Sequence, residues 1–179
     1  MVAPISEHAL RVLHLEDSPL DHELALAHLA RGGLRVAAQR IDTEPEFRAA
    51  LNENWDAVIS DYNLPGFSGL AALDILRASG RDIPFVLVSG EIGEDTAVEA
   101  MRNGASDYLL KNNLARLVPA LLHAIEAAET RRARTRADRE PLVLRRPQEG
   151  HARAVPAALR LRQRLRQRPG ERAHWQRRR

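Results

Sequence analysis

The sequence predicts an α/β fold in which a parallel five-stranded sheet carries helices on both faces. Three observations lead there. Short apolar runs bounded by turn residues recur along the chain, and runs of that length read as buried strands. Between them, apolar residues fall at helical spacing. The two patterns alternate five times within about 120 residues, the order that parallel strands with crossover helices produce, and short right-handed connections leave few topologies open.

The first run, Leu10 to Leu15, turns abruptly acidic at Glu16-Asp17. Ser18-Pro19 then suits a helix cap and first turn. This helix is expected to point Leu20, Leu24, Ala27 and Leu29 inward and to stop at Gly32-Gly33. Leu34 to Ala38 is a weaker second strand. Thr43 before Glu46 resembles a capping box, opening a helix with Phe47, Ala50 and Leu51 on one side. A third apolar run, starting at Asp56, delivers Asp61 to a turn marked by Pro65, Gly66 and Gly69. Ser68 to Ala78 follows, with Leu70, Leu73 and Leu76 at helical spacing. Ile83 to Val88 is the fourth strand and stops at Ser89-Gly90. Glu94 to Asn103 reads as a helix with Ala97, Ala100 and Met101 as its apolar face and Gly104 as its stop. Asp107 to Leu110 is a short fifth strand with Lys111 at its end. Leu114, Leu117, Val118, Leu121, Leu122 and Ile125 then keep helical periodicity. Pro119 places the start of that helix only a few residues earlier, because proline is tolerated in a first turn and costly further in.

Composition narrows the class. No apolar stretch is long enough for a membrane helix, and Met1 to Ala9 lacks the basic-then-apolar pattern of a secretory signal. The absence of cysteine excludes disulfides and thiolate chemistry, and a cytoplasmic location is the expectation. The net charge of +3 averages two unlike parts. Residues 1–129 hold 10 Lys or Arg against 20 Asp or Glu, and residues 130–179 hold 17 against 4. Lys111 is the only lysine, so it is not one of many solubilising charges.

All strand carboxyl ends of such a sheet share one edge, where ligands of open α/β sheets bind. Glu16, Asp17, Asp61, Ser89 and Lys111 are all expected there. Clustered carboxylates repel one another, and a hard divalent cation with oxygen ligands relieves that repulsion. Phosphoryl transfer needs little more than a nucleophile, a metal and cationic or hydroxyl donors. Taken singly the residues have plain explanations: Glu16-Asp17 suits a helix start, Asp61 and Ser89-Gly90 suit turns, and Tyr108 suits a core. It is their joint placement at separate strand ends that points to a site.

From Arg11 to Ala128 these motifs resemble the receiver domain of bacterial two-component response regulators. The resemblance implies a flavodoxin-like (βα)5 sandwich with strand order 2-1-3-4-5. It implies that Asp61 accepts a phosphoryl group from a sensor histidine kinase or phosphotransfer protein. Mg²⁺, or Mn²⁺ in its place, would be held by Asp17 and Asp61, by Glu16 through water, and by the backbone carbonyl of Asn63. Lys111 and Ser89 would each take a phosphoryl oxygen. Ser89 and Tyr108 would form the switch, changing the face built by the fourth helix, the fifth strand and the last helix, where a homodimer could also form. Two departures stand out: Asn112 replaces the usual proline after the lysine, and Glu91 sets a negative charge near the rim.

The sequence divides into an N-terminal extension (1–9), a receiver (10–129), a helical extension or linker (130–140) and an Arg-rich tail (141–179) that is expected to be disordered. Ala158, Leu161 and Leu165 fit a brief basic amphipathic helix, and the charge alone would suit nucleic acid or an acidic membrane surface. The same composition is also what GC-rich coding sequence gives when read out of frame. Two alternatives accompany the receiver assignment: a nucleic-acid-binding regulator acting through this tail, and a haloacid-dehalogenase-type phosphatase. The second family carries an aspartate two residues after its nucleophile, where this chain has Asn63. The seven histidines show no metal-ligand spacing; His14 reads as a packed or hydrogen-bonded strand residue and His123 lies near an exposed helix face.

Overall fold

All five expected strands form and join one sheet. The computed structural model describes residues 9–90 and 93–139 of the chain. The strands are β1 (Leu10–Leu15), β2 (Val36–Ile41), β3 (Ala57–Asp61), β4 (Phe85–Ser89) and β5 (Asp107–Leu110). Their spatial order is 2-1-3-4-5 and every pairing is parallel. Between them run α1 (Pro19–Arg31), α2 (Glu44–Ala50), α3 (Gly69–Ala78) and α4 (Glu94–Arg102). A 3₁₀ turn over Lys111–Arg116 leads into α5 (Leu117–Arg139), so Pro119 falls in the first turn, where its missing N–H costs nothing. A two-residue antiparallel hairpin, Asn63–Leu64 with Phe67–Ser68, follows β3 and turns at Gly66, whose φ of 79° suits glycine.

The central strands are apolar throughout because both faces of the sheet are covered. Alternate residues feed two cores. Leu10, Val12, Ile59, Val86, Val88 and Leu109 pack with Leu29 of α1 and Leu117, Leu121 and Ile125 of α5. Leu13, Leu15, Val58, Phe85 and Leu87 pack on the other side with Phe47 of α2, Leu73 and Leu76 of α3, and Ala100 of α4. Residues of one parity therefore share a face, and this rule carries over to the strand ends.

Several local expectations are corrected. In α1 Leu29 is buried as expected and Ala25 with it, whereas Leu20 and Leu24 are 76% and 49% exposed and Ala27 is exposed as well. The helix carries two coherent stripes at helical spacing, and packing against β1 and α5 selected the second. Strand β2 begins at Val36 rather than Leu34, since Leu34 closes the preceding turn with its N–H on the Leu29 carbonyl at 3.0 Å. The Thr43 hydroxyl donates to Glu46 at 2.7 Å, so only half of the capping box forms: Glu46 bonds back to the Thr43 backbone, and the Thr43 side chain caps no N–H of α2. On α4 only Ala100 is buried, and Met101 is 48% exposed. Helix α5 continues past residue 129, with Arg131 pairing Asp82 at 2.8 Å and Arg132 bonding the Asp82 carbonyl. These pairs are exposed, and such pairs contribute about 0–1 kcal/mol each. The Arg-rich segment 141–179 and Glu91 lie outside the described residues.

Candidate functional site

Strand parity assembles the site. Glu16 continues the Leu10, Val12, His14 series, Asp61 the Ala57, Ile59 series, and Lys111 follows Leu109 by two. All three therefore lean to the α1–α5 side of the sheet edge, because side chains two apart on a strand share a face. The Lys111 ammonium meets Asp61 Oδ2 at 2.7 Å and Glu16 Oε2 at 3.2 Å. Glu16 and Asp61 are buried, while Asp17 is exposed. Each of these three carboxylates offers an oxygen, and the three oxygens lie within 4.8 Å of one another. Asn63 donates its backbone N–H to Asp61 Oδ1 at 3.3 Å, so both acceptor oxygens are engaged. Ser89 is buried at the end of β4, one residue beyond Val88, the register partner of Asp61.

The turn carrying the acidic pair is pinned from three directions. Glu16 donates its N–H to the Ile41 carbonyl of β2, at 2.9 Å. The Ser18 N–H reaches Glu16 Oε1 at 3.0 Å while the Ser18 hydroxyl caps α1 by accepting the Asp21 N–H at 3.2 Å. Arg40 of β2 donates to the carbonyls of Glu16 and Asp17 at 2.9 and 3.3 Å. Burial raises the Glu16 pKa, with the Ser18 N–H and the Lys111 charge opposing it. Burial works against the Lys111 charge too, yet its bonds to Asp21 and Asp61 hold its pKa above the ordinary lysine value.

Two participants escaped the sequence reading. Asp21, on the first turn of α1, holds the Lys111 ammonium at 2.6 Å. Its only signal in the sequence is its place three residues after Ser18, which looks like ordinary capping. His14 of β1 and His22 of α1 form the second surprise, with their Nδ1 atoms 2.8 Å apart so that one ring donates and the other accepts. Burial first, then His22 and the Lys111 charge, push the His14 pKa down to about 3, with Asp21 opposing and Arg40 adding a little. The unfolded chain thus binds a proton here that the folded chain refuses between about pH 6.5 and 3. Stability from this group is complete above pH 6.5 and is lost as the pH falls through that window. We expect urea unfolding to show a loss of about 2 kcal/mol from this residue between pH 7 and 5. His14→Leu should flatten the profile over that range, and an unchanged slope in the variant would refute the assignment.

Tyr108 is half-buried on β5 and lines a surface cavity of about 210 Å³ with Gly93, Glu94, Ala97, Asn113 and Arg116. Asn112, where the receiver pattern has proline, lies in the 3₁₀ turn that begins at Lys111.

A parallel 2-1-3-4-5 sheet with acidic groups and a lysine gathered at its carboxyl edge defines a class of phosphoacceptor signalling domain. Residues 12–122 match the response regulator receiver domain, and the chain belongs to that family. It is 36% identical to the response regulator protein FleR of Pseudomonas aeruginosa over 104 residues, covering 58% of this chain and 22% of that protein. It is 36% identical over 143 residues to the transcriptional activator protein PfeR of the same organism, covering 79% and 44% respectively. The chain thus spans less than half the length of these relatives. Among solved structures it resembles the receiver domain of a response regulator NarL from Mycobacterium tuberculosis, with a TM-score of 0.59, 23% identity, and coverage of 66% of this chain and 98% of that one. It also resembles the receiver domain of a sensor histidine kinase from Pseudomonas aeruginosa that has a magnesium ion coordinated in its active-site cleft (TM-score 0.57, 24% identity, coverage 66% and 99%). Residues 12–122 are therefore a receiver domain of the two-component kind. No helix among the described residues is long and apolar enough to cross a membrane.

Proposed function

We propose that Asp61 accepts a phosphoryl group from the phosphohistidine of a sensor kinase or phosphotransfer protein, and that Glu16, Asp17 and the Asn63 carbonyl, with Asp61, hold the Mg²⁺ that the reaction requires. The observation that carries this reading is the meeting of Asp61 with Lys111 beside Glu16 and Asp17, four groups drawn from three separate strand ends. The donor set fits a hard cation. It is all oxygen, its carboxylates outnumber the single ammonium, and its oxygens lie within 4.8 Å of one another, close enough to share a magnesium ion with ~2.1 Å bonds. When bound, the ion would neutralise charge on the phosphoryl oxygens.

In the transfer, an Asp61 carboxylate oxygen forms a bond to phosphorus as the donor's nitrogen–phosphorus bond breaks. The bonding pair stays on the imidazole nitrogen. Lys111 keeps its protons and offsets charge on a phosphoryl oxygen, while Ser89 supplies a hydroxyl to another. Phosphorylation adds roughly −1.5 to −2 charges to the site. Ser89 and Tyr108 relay that change to the α4–β5–α5 face, where exposed Val98 and Met101 beside the Tyr108 cavity offer an apolar surface to an output partner or a second copy of the chain.

Incubation with Mg²⁺ and acetyl phosphate should yield a hydroxylamine-labile phosphate on the chain. Asp17→Asn should raise the Mg²⁺ concentration for half-maximal labelling by tenfold or more. Absence of label from both acetyl phosphate and a phosphorylated histidine donor would overturn the proposal.

A further inference from the structure

We propose that Asp21 is a positioning residue for phosphoryl transfer, holding the Lys111 ammonium over the acceptor carboxylate. This rests on the phosphoacceptor reading above. Lys111 has three carboxylate partners: Asp21 Oδ2 at 2.6 Å, Asp61 Oδ2 at 2.7 Å and Glu16 Oε2 at 3.2 Å. Two of these change during the cycle. Asp61 gives up an oxygen to the new acyl phosphate, and Glu16 belongs to the group able to hold a metal. Asp21 lies outside that group and is the partner that neither cation binding nor phosphorylation consumes.

The tether is itself held in place. Asp21 is the third residue of α1, its N–H is fixed to the Ser18 hydroxyl, and the same Ser18 donates its N–H to Glu16. The negative side chain is favoured there by the helix N-terminus. Helix α1 packs on the face to which strand parity turns Glu16, Asp61 and Lys111, so Asp21 meets the ammonium from above. A lysine stem is flexible and has rotamer entropy to lose. Asp21 removes that freedom before the donor arrives, and a cation already in place costs no reorganisation as charge develops on phosphorus. The transferred group and its electrons move between donor and Asp61 alone, while the ammonium keeps its protons.

The test uses the full chain with acetyl phosphate and saturating Mg²⁺. Asp21→Asn should lower the maximal phosphorylation rate about tenfold while leaving the Mg²⁺ midpoint within twofold of the parent. Asp21→Glu should recover part of the loss. In a Lys111→Ala background Asp21→Asn should cause no further decrease, a non-additivity that a merely structural role would not give. Since Lys111 is the only lysine, ¹⁵N-lysine labelling yields one ammonium signal to follow at fixed pH without relying on activity. That signal should move in Asp21→Asn. A parent rate in Asp21→Asn, an equal fold loss in the Lys111→Ala background, or an unmoved lysine signal would each overturn the proposal. A parent chain that takes no phosphate would instead sink the function on which it stands.

Discussion

Asp61→Asn should abolish phosphate incorporation, leaving only background label from either a small phosphodonor or a histidine donor. An amide lacks the anionic oxygen that must bond to phosphorus, so the change removes the nucleophile and not merely a contact. The effect is therefore expected to exceed the loss from any neighbouring substitution. Two features make the result readable. The neighbouring hydroxyl, Ser60, is buried and donates to the Asp61 carbonyl at 2.9 Å, so that hydroxyl is turned to the backbone. The backbone around Asp61 is held by strand pairing and by the Asp61–Val88 register, so the variant should keep its fold by circular dichroism. Persistence of hydroxylamine-labile phosphate in a folded variant would place the acceptor elsewhere.

Gly69→Ala should destabilise the chain by about 3 kcal/mol, the upper part of the range for overpacking a tight site. A Cβ at this position would lie 2.5 Å from the Asp61 carbonyl oxygen, 2.5 Å from Leu87 Cδ1 and 3.1 Å from Tyr62 Cα. Two of those three atoms are backbone and cannot swing aside. The Gly69 N–H is also bonded to the Tyr62 carbonyl at 2.8 Å, so any shift of α3 pulls on the chain just after the acceptor. A phosphorylation defect should accompany the lost stability, because relief of the clash displaces Asp61. Urea unfolding measures the first effect and the acetyl phosphate assay the second. Stability within about 0.5 kcal/mol of the parent would show that the close approach is not as tight as described.

Much of the site was legible because strand ends are legible. Short apolar runs ending at Glu16-Asp17, Asp61, Ser89 and Lys111 announce themselves, and a parallel sheet sends every such end to one edge. The lone lysine stood out against an otherwise arginine-only chain. Asp21 was not legible in the same way. It lies on a helix, where a carboxylate in the first turn has an adequate local explanation, and nothing in the order of residues reveals that α1 sets it beside a group 90 positions away. The partner of His14 was hidden for a related reason, since nothing in the order of residues shows that α1 brings His22 onto that strand residue.

By itself the sequence determined the alternation of strands and helices, the parallel sheet and the gathering of Asp61, Glu16, Asp17, Ser89 and Lys111 at its edge. Periodicity and chain connectivity are local properties, and they suffice for that. Tertiary structure alone decided which stripe of α1 faces inward, and with it the exposure of Leu20 and Leu24, the reach of Asp21 to Lys111 and the meeting of the two histidines. A helix with two apolar stripes has no intrinsic preferred face; burial of Ala25 and Leu29 against β1 and α5 makes the choice, and every side chain on the helix then follows its rotation.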